Sequence, residues 1–184
     1  MIFENKGKEN TLETLHIALN AAKKERGTTL VVASSAGDTL IELIKMQEEL
    51  GTNVPMVMVG QAYGYPKQGV NTMTDERRAE LTAAGVHIIH AAHALSGAER
   101  GISRKFSGAY PVEIMAHTLR MFGQGTKVCV EIAMMALDNG AIELNKPVVC
   151  VGGSARGADT ACIITPAYTA DCLDTKIHEI LCKP

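Results

Sequence analysis

Apolar positions along this chain recur at two spacings, one helical and one short and continuous. In NTLETLHIALNAAKKER (10–26), Leu12, Leu15, Leu19 and Ala22 fall on one helical face. Asn10 stands where a side chain caps the first turn, Glu13 holds the reciprocal capping-box position, and Gly27 marks the stop. TLVVAS (29–34) is a β-branched run of the kind that forms a strand buried on both faces. The next helix turns Leu40, Ile41, Leu43 and Ile44 inward, and VPMVMV (54–59) is the second strand. DERRAELTAAG (75–85) has acidic residues in its first turn and a glycine stop, which predicts a third helix. VHIIHA (86–91) is the third strand.

Beyond residue 92 the pattern is less regular. HALSGAERGISRKFSGAY (93–110) reads as a polar connection, after which Pro111 opens a helix running to about Phe122. TKVCVEIAMMALDNG (126–140) starts β-branched, yet it stays apolar for a full helix length and ends in Asn139–Gly140, a natural C-cap, so it predicts a helix. PVVCVGG (147–153) and DTACIITPA (159–167) predict two strands joined by a glycine-rich loop, and KIHEILCKP (176–184) a short tail. Strands alternating with helices imply one α/β domain over residues 1–184, built on a mainly parallel sheet covered on both faces.

Composition removes several classes of function. A net charge of −2 gives no global field for nucleic acid or an anionic membrane, and an aromatic content of 4% argues against base-stacking surfaces. No apolar run suits a signal core or a membrane span. Cys129, Cys150, Cys162, Cys172 and Cys182 are odd in number and show no CxxC spacing, which implies reduced thiols in a cytoplasmic protein rather than a disulfide framework or a zinc site. His87, His90 and His93 resemble metal ligands, but on a strand His90 faces away from the other two. Cys129 beside Glu131 has no context for a nucleophile and reads as a buried thiol.

Three segments remain as candidates for phosphate chemistry. ASSAGDT (33–39) lies where the first strand hands over to its helix; Ser34 and Ser35 offer hydroxyls, Gly37 allows close approach, and Asp38 or Thr39 stands at the helix start, where a phosphate is favoured. Plain N-capping explains the same residues without a ligand. In the 152–157 loop, Gly152, Gly153 and Gly157 do not match GxGxxG and no helix follows, so this is not a dinucleotide fingerprint. Its glycines still permit a backbone nest beside the Arg156 fork, or serve only a hairpin turn. The 93–108 stretch brings Ser96, Gly97, Arg100, Ser103, Arg104 and Lys105 to an oxyanion, or forms a solvated basic loop. The long 60–73 loop, with Tyr63 and Tyr65, has the length of a functional connection.

With IFENKGKENT, VVASSAGDT, HALSGAERGISRKFSG, KVCVEIAMMALDNGAI and VGGSARGADTACII in their expected order, essentially the whole chain resembles the stand-alone archaeal and bacterial proteins related to the C-terminal α/β domain of pyruvate kinase. The resemblance implies a three-layer α/β/α sandwich around a five-stranded mixed sheet whose last strand runs antiparallel to the rest. It does not imply the kinase reaction, which needs a (β/α)₈ barrel that this chain has no room for. It implies FMN as the ligand. Ser34, Ser35, Gly37, Asp38 and Thr39 would take its phosphate or ribityl chain, and Gly152, Gly153, Ser154, Arg156 and Gly157 would close over it. Arg104 and Lys105 would add positive charge, with Asn5, Asn10 and Thr11 as further polar partners and the Tyr63–Tyr65 loop over the ring. A homo-oligomer is also implied, since the related kinase domain contributes to subunit contacts. Two readings stand: an FMN-binding cytoplasmic protein with flavin-dependent oxidoreductase chemistry, and a non-catalytic sensor for a phosphorylated metabolite.

Overall fold

The structure is a computed structural model of the chain and describes residues 1–24, 28–64, 67–154 and 156–184. Six strands form one sheet in the order β3-β2-β1-β4-β5-β6: β1 (Leu30–Ala33), β2 (Met56–Gln61), β3 (His87–Ala91), β4 (Val148–Gly152), β5 (Thr160–Thr165) and β6 (Lys176–Cys182). The first four are parallel, and β5 pairs antiparallel with β4, as the hairpin reading of 148–165 requires. The tail is a sixth strand rather than a loose end. It pairs antiparallel with β5 and so runs in the sense of β1–β4. Residues Met1 and Phe3 bond to Lys183, closing the end of that edge.

Side chains alternate along each strand between two cores. Leu30, Val32, Met56, Met58, Val149 and Val151 face α1 (Thr11–Lys24), α2 (Asp38–Glu49) and α3 (Asp75–Ala83). Val31, Val57, Val59, Val148 and Cys150 face α6 (Gln124–Asp138) and α5 (Pro111–Arg120). This is the three-layer α/β/α sandwich. Two expectations shift. Leu12 points outward at 59% exposure, because Thr11 and Thr14 share the inward face of α1. Residues 97–106 form a helix, α4 (Gly97–Phe106), not a polar loop, and α4 buries none of its residues. The Gly27 stop lies outside the described residues.

Helix α6 approaches the sheet closely at two glycines. A Cβ on Gly125 would overlap the Thr160 side chain and come within 3.1 Å of Asp159 Oδ1; one on Gly152 would sit 2.8 Å from the Gly125 carbonyl oxygen. Gly125→Ala is therefore expected to push α6 off the sheet and cost about 1–3 kcal/mol. Urea unfolding midpoints would show this, and an unchanged midpoint would mean that α6 is not held at that contact.

Candidate functional site

Order 3-2-1-4 fixes a topological switch point. From β1 the chain winds through α2 and α3 to the β3 edge on one face, then crosses by α4–α6 on the other face and returns beside β1 as β4. In open α/β sheets the crevice at the carboxyl ends of two such strands is where ligands bind. Here those ends carry Ser34 and Gly152–Gly153, from two of the three segments singled out from sequence.

On the β1 side, Gly37 is the left-handed N-cap of α2 (φ 93°), and its amide donates to Ser34 Oγ at 3.1 Å. The amides of Ser35, Ala36, Asp38 and Thr39 make no hydrogen bond among the described residues. They are free donors at the positive end of the helix dipole. Asp38 is exposed and paired with Arg77 at 3.6 Å, while Thr39 is buried.

On the β4 side the loop is clasped by a residue that sequence reasoning did not single out. Asp159 is fully buried. Its Oδ2 accepts from the amides of Gly7 (3.0 Å) and Ser154 (3.2 Å), and its Oδ1 from the Thr160 hydroxyl (2.9 Å). The Ala158 amide donates to Thr11 Oγ1 at 3.0 Å. Gly157 adopts φ 81° and leaves no room for a Cβ, which would meet the Thr11 hydroxyl and approach Lys8 Cα to 2.8 Å. The N-terminal segment is thus laid against the glycine loop. Asn10 does not cap α1: its side-chain amide donates back to the Asn5 carbonyl at 2.7 Å, and a 3₁₀ turn (Lys8–Asn10) leads into the helix.

Thr11, Ser34–Thr39, Gly152–Ser154 and Arg156–Gly157 therefore lie on one edge, and the N-termini of α1, α2 and α6 open there. Ser154 contributes its amide to Asp159, and Arg156 is exposed at the loop tip. Arg104 and Lys105 lie on the last turn of α4. Lys105 lies 5.6 Å over the Phe106 ring, and among the described residues no hydrogen bond or ion pair joins either to the switch-point segments. The Tyr63 hydroxyl accepts from Arg78 (2.9 Å), and its ring meets His90 edge-on; Tyr65 lies outside the described residues.

A second group missed in the sequence is a buried ion pair. Lys127 Nζ lies 2.6 Å from Glu131 Oε2 with both side chains 5% exposed, and Glu131 Oε1 accepts the Leu95 amide at 2.9 Å. Burial pushes the Lys127 pKa down, against the pull of Glu131, with Arg120 and Arg100 lowering it further. The signal was present as an i,i+4 pair on a predicted helix, but its burial was not.

All five cysteines are free. Burial and the neighbouring Cys162 hold Cys129 as a thiol with its pKa raised, unsuited to nucleophilic attack. His90 Nδ1 lies 2.9 Å from the Gln61 carbonyl oxygen, and no metal-ligand cluster occurs among the described residues. Nor, among them, is any helix long and apolar enough to cross a membrane. No protein-family model matches the chain.

Proposed function

We propose that the β1–β4 switch-point edge binds FMN, and that the protein works as a flavin-dependent oxidoreductase. The observation that carries this reading is the convergence of Ser34–Thr39, Gly152–Gly157 and the N-terminal segment, far apart in sequence, around free amides at helix N-termini. Such amides suit a phosphate. The Ser34 hydroxyl, whose oxygen already accepts the Gly37 amide, keeps its proton to donate to a phosphate or ribityl oxygen. Thr11 likewise retains a donor, and Arg156 supplies a planar fork from the loop tip. The donor set therefore fits a phosphorylated polyol such as the FMN side chain. Asp38, an anion beside these donors, is offset by Arg77. When bound, the flavin would supply the electron and hydride chemistry, and the chain would supply binding and orientation.

A second reading is a non-catalytic sensor for a phosphorylated metabolite. It uses the same donors and needs no reacting group beyond them. The visible absorption spectrum of the purified protein, before and after incubation with FMN, separates the two. A flavin band supports the first; a sample that stays colourless leaves the second. Arg156→Ala is expected to weaken FMN by about 1.5–3 kcal/mol, the scale of a charge-assisted hydrogen bond. Unchanged affinity on titration would remove Arg156 from the site.

A further inference from the structure

We propose that a concavity of about 270 Å³ beside α4 is a second anion site, separate from the switch-point edge, built for a small phosphorylated polyol. It is lined by Arg100, Ser103, Arg104, Ser107, Gly108 and Glu113. Arg100 and Arg104 are one helical turn apart and project on the same side of α4. Neither forms an ion pair among the described residues, although two carboxylates stand close by. Those carboxylates are engaged differently: Glu99 Oε1 accepts the Glu113 amide at 2.9 Å, and Glu113 Oε1 accepts the Ser103 hydroxyl at 2.7 Å. Two guanidinium forks thus line the concavity without an ion-pair partner among the described residues.

The backbone gives an independent indication. Ser107 holds φ 62°, ψ 179°, a region that essentially only glycine occupies freely, and the next residue, Gly108, has φ 99°. Strained positions of this kind cluster at active sites and ligand clamps. The core does not impose the strain, because α4 buries no residue and packs chiefly on α5. Ser107 and Gly108 instead line the concavity together with the arginines.

The lining also limits the ligand. Two arginines and the Ser107 hydroxyl suit an oxyanion with several acceptors, while the Ser103 hydroxyl is already given to Glu113. Glu113 in the same wall repels a bare dianion but accepts a hydroxyl. A molecule carrying a phosphate at one end and hydroxyls at the other satisfies both, which inorganic phosphate does not.

The test is titration of the full-length, isotope-labelled protein with glycerol phosphate and, separately, with inorganic phosphate, followed by backbone amide shifts and calorimetry. Saturable shifts at Ser107 and Gly108 are expected, with glycerol phosphate the tighter ligand. R100A/R104A should lose about tenfold or more in affinity, and Arg100→Lys an intermediate amount, because it keeps the charge but not the fork. Both changes are on an exposed helix, so an unaltered amide spectrum elsewhere will confirm the fold. Glu113→Gln should narrow the gap between the two ligands. Shifts confined to Ser35–Thr39 and Gly152–Gly157, no saturation, or full affinity in R100A/R104A would overturn the site. Equal affinity for both ligands would overturn the polyol assignment.

Discussion

Glu131→Ala is expected to destabilise the protein by about 3–5 kcal/mol, the cost of leaving one partner of a buried ion pair alone. The Lys127 ammonium, 2.6 Å from Glu131 and almost wholly inside, would lose the carboxylate that compensates its desolvation. The Leu95 amide would lose its acceptor as well, and with it the tie between α6 and the segment leading into α4. Replacing both partners with apolar residues of similar volume, as in K127M/E131L, should recover most of the loss, because the uncompensated charge then disappears. A double variant as unstable as Glu131→Ala would show that shape rather than charge sets the cost.

The pair also predicts a pH dependence with a definite sign. The folded pKa of Lys127 is lowered, so between the folded and unfolded values the unfolded chain binds the extra proton. Stability then rises with pH in that window, and the penalty is fully present below the folded pKa. Glu131 opposes the shift through its charge and its hydrogen bond. In Glu131→Gln that opposition is gone, the folded pKa drops further, and the rise in stability should begin at lower pH than in the wild type. Urea midpoints collected from neutral to alkaline pH would show it; parallel curves for the two proteins would contradict it.

What the sequence reveals depends on whether the signal is local. The β4–β5 hairpin is legible because Val148–Val151 and Ala161–Ile164 are apolar runs with a loop between them and Pro166 after them. Helix α6 is legible despite Val128, Val130 and Ile132, because its apolar character lasts longer than a strand would. Strand β6 is missed because it is an edge strand: Lys176–Glu179 are exposed, and little alternation survives there. Helix α4 is missed because it contains two glycines, buries no apolar face and is tied down by Glu99 and Glu113 instead. The segments of the candidate site are visible as glycine and serine turns. Their meeting is not, since it follows from the strand order, which no single turn encodes. Arg104 and Lys105 are likewise placed by the helical folding of residues 97–106, which no local signal announces.

Asp159 is the extreme case, since one of its partners, Gly7, is 152 residues away in sequence. Asp159→Ala is expected to cost roughly 3–4 kcal/mol, because it strips the acceptor from the Gly7 and Ser154 amides and the Thr160 hydroxyl, at bonds strengthened by the carboxylate charge. The loss falls on the clasp between the N-terminal segment and the glycine loop, so it should be local before it is global. Hydrogen exchange is expected to speed up at Gly7, Ser154 and Ala158, whose amides lose their acceptors or the loop geometry that presents them, while amides in β1 and β2 keep their protection. Affinity for FMN at the switch-point edge should fall along with that protection, since a loosened loop no longer presents Arg156 or the Gly153–Gly157 backbone in fixed positions. Asp159→Asn separates charge from shape: it retains one carbonyl acceptor and should lose less stability than the alanine variant. Exchange that speeds up uniformly across the sheet would instead place Asp159 in the cooperative core. Full FMN affinity in a variant with a demonstrably mobile loop would remove residues 153–157 from the ligand's surroundings and leave the N-terminus of α2 as the phosphate cradle.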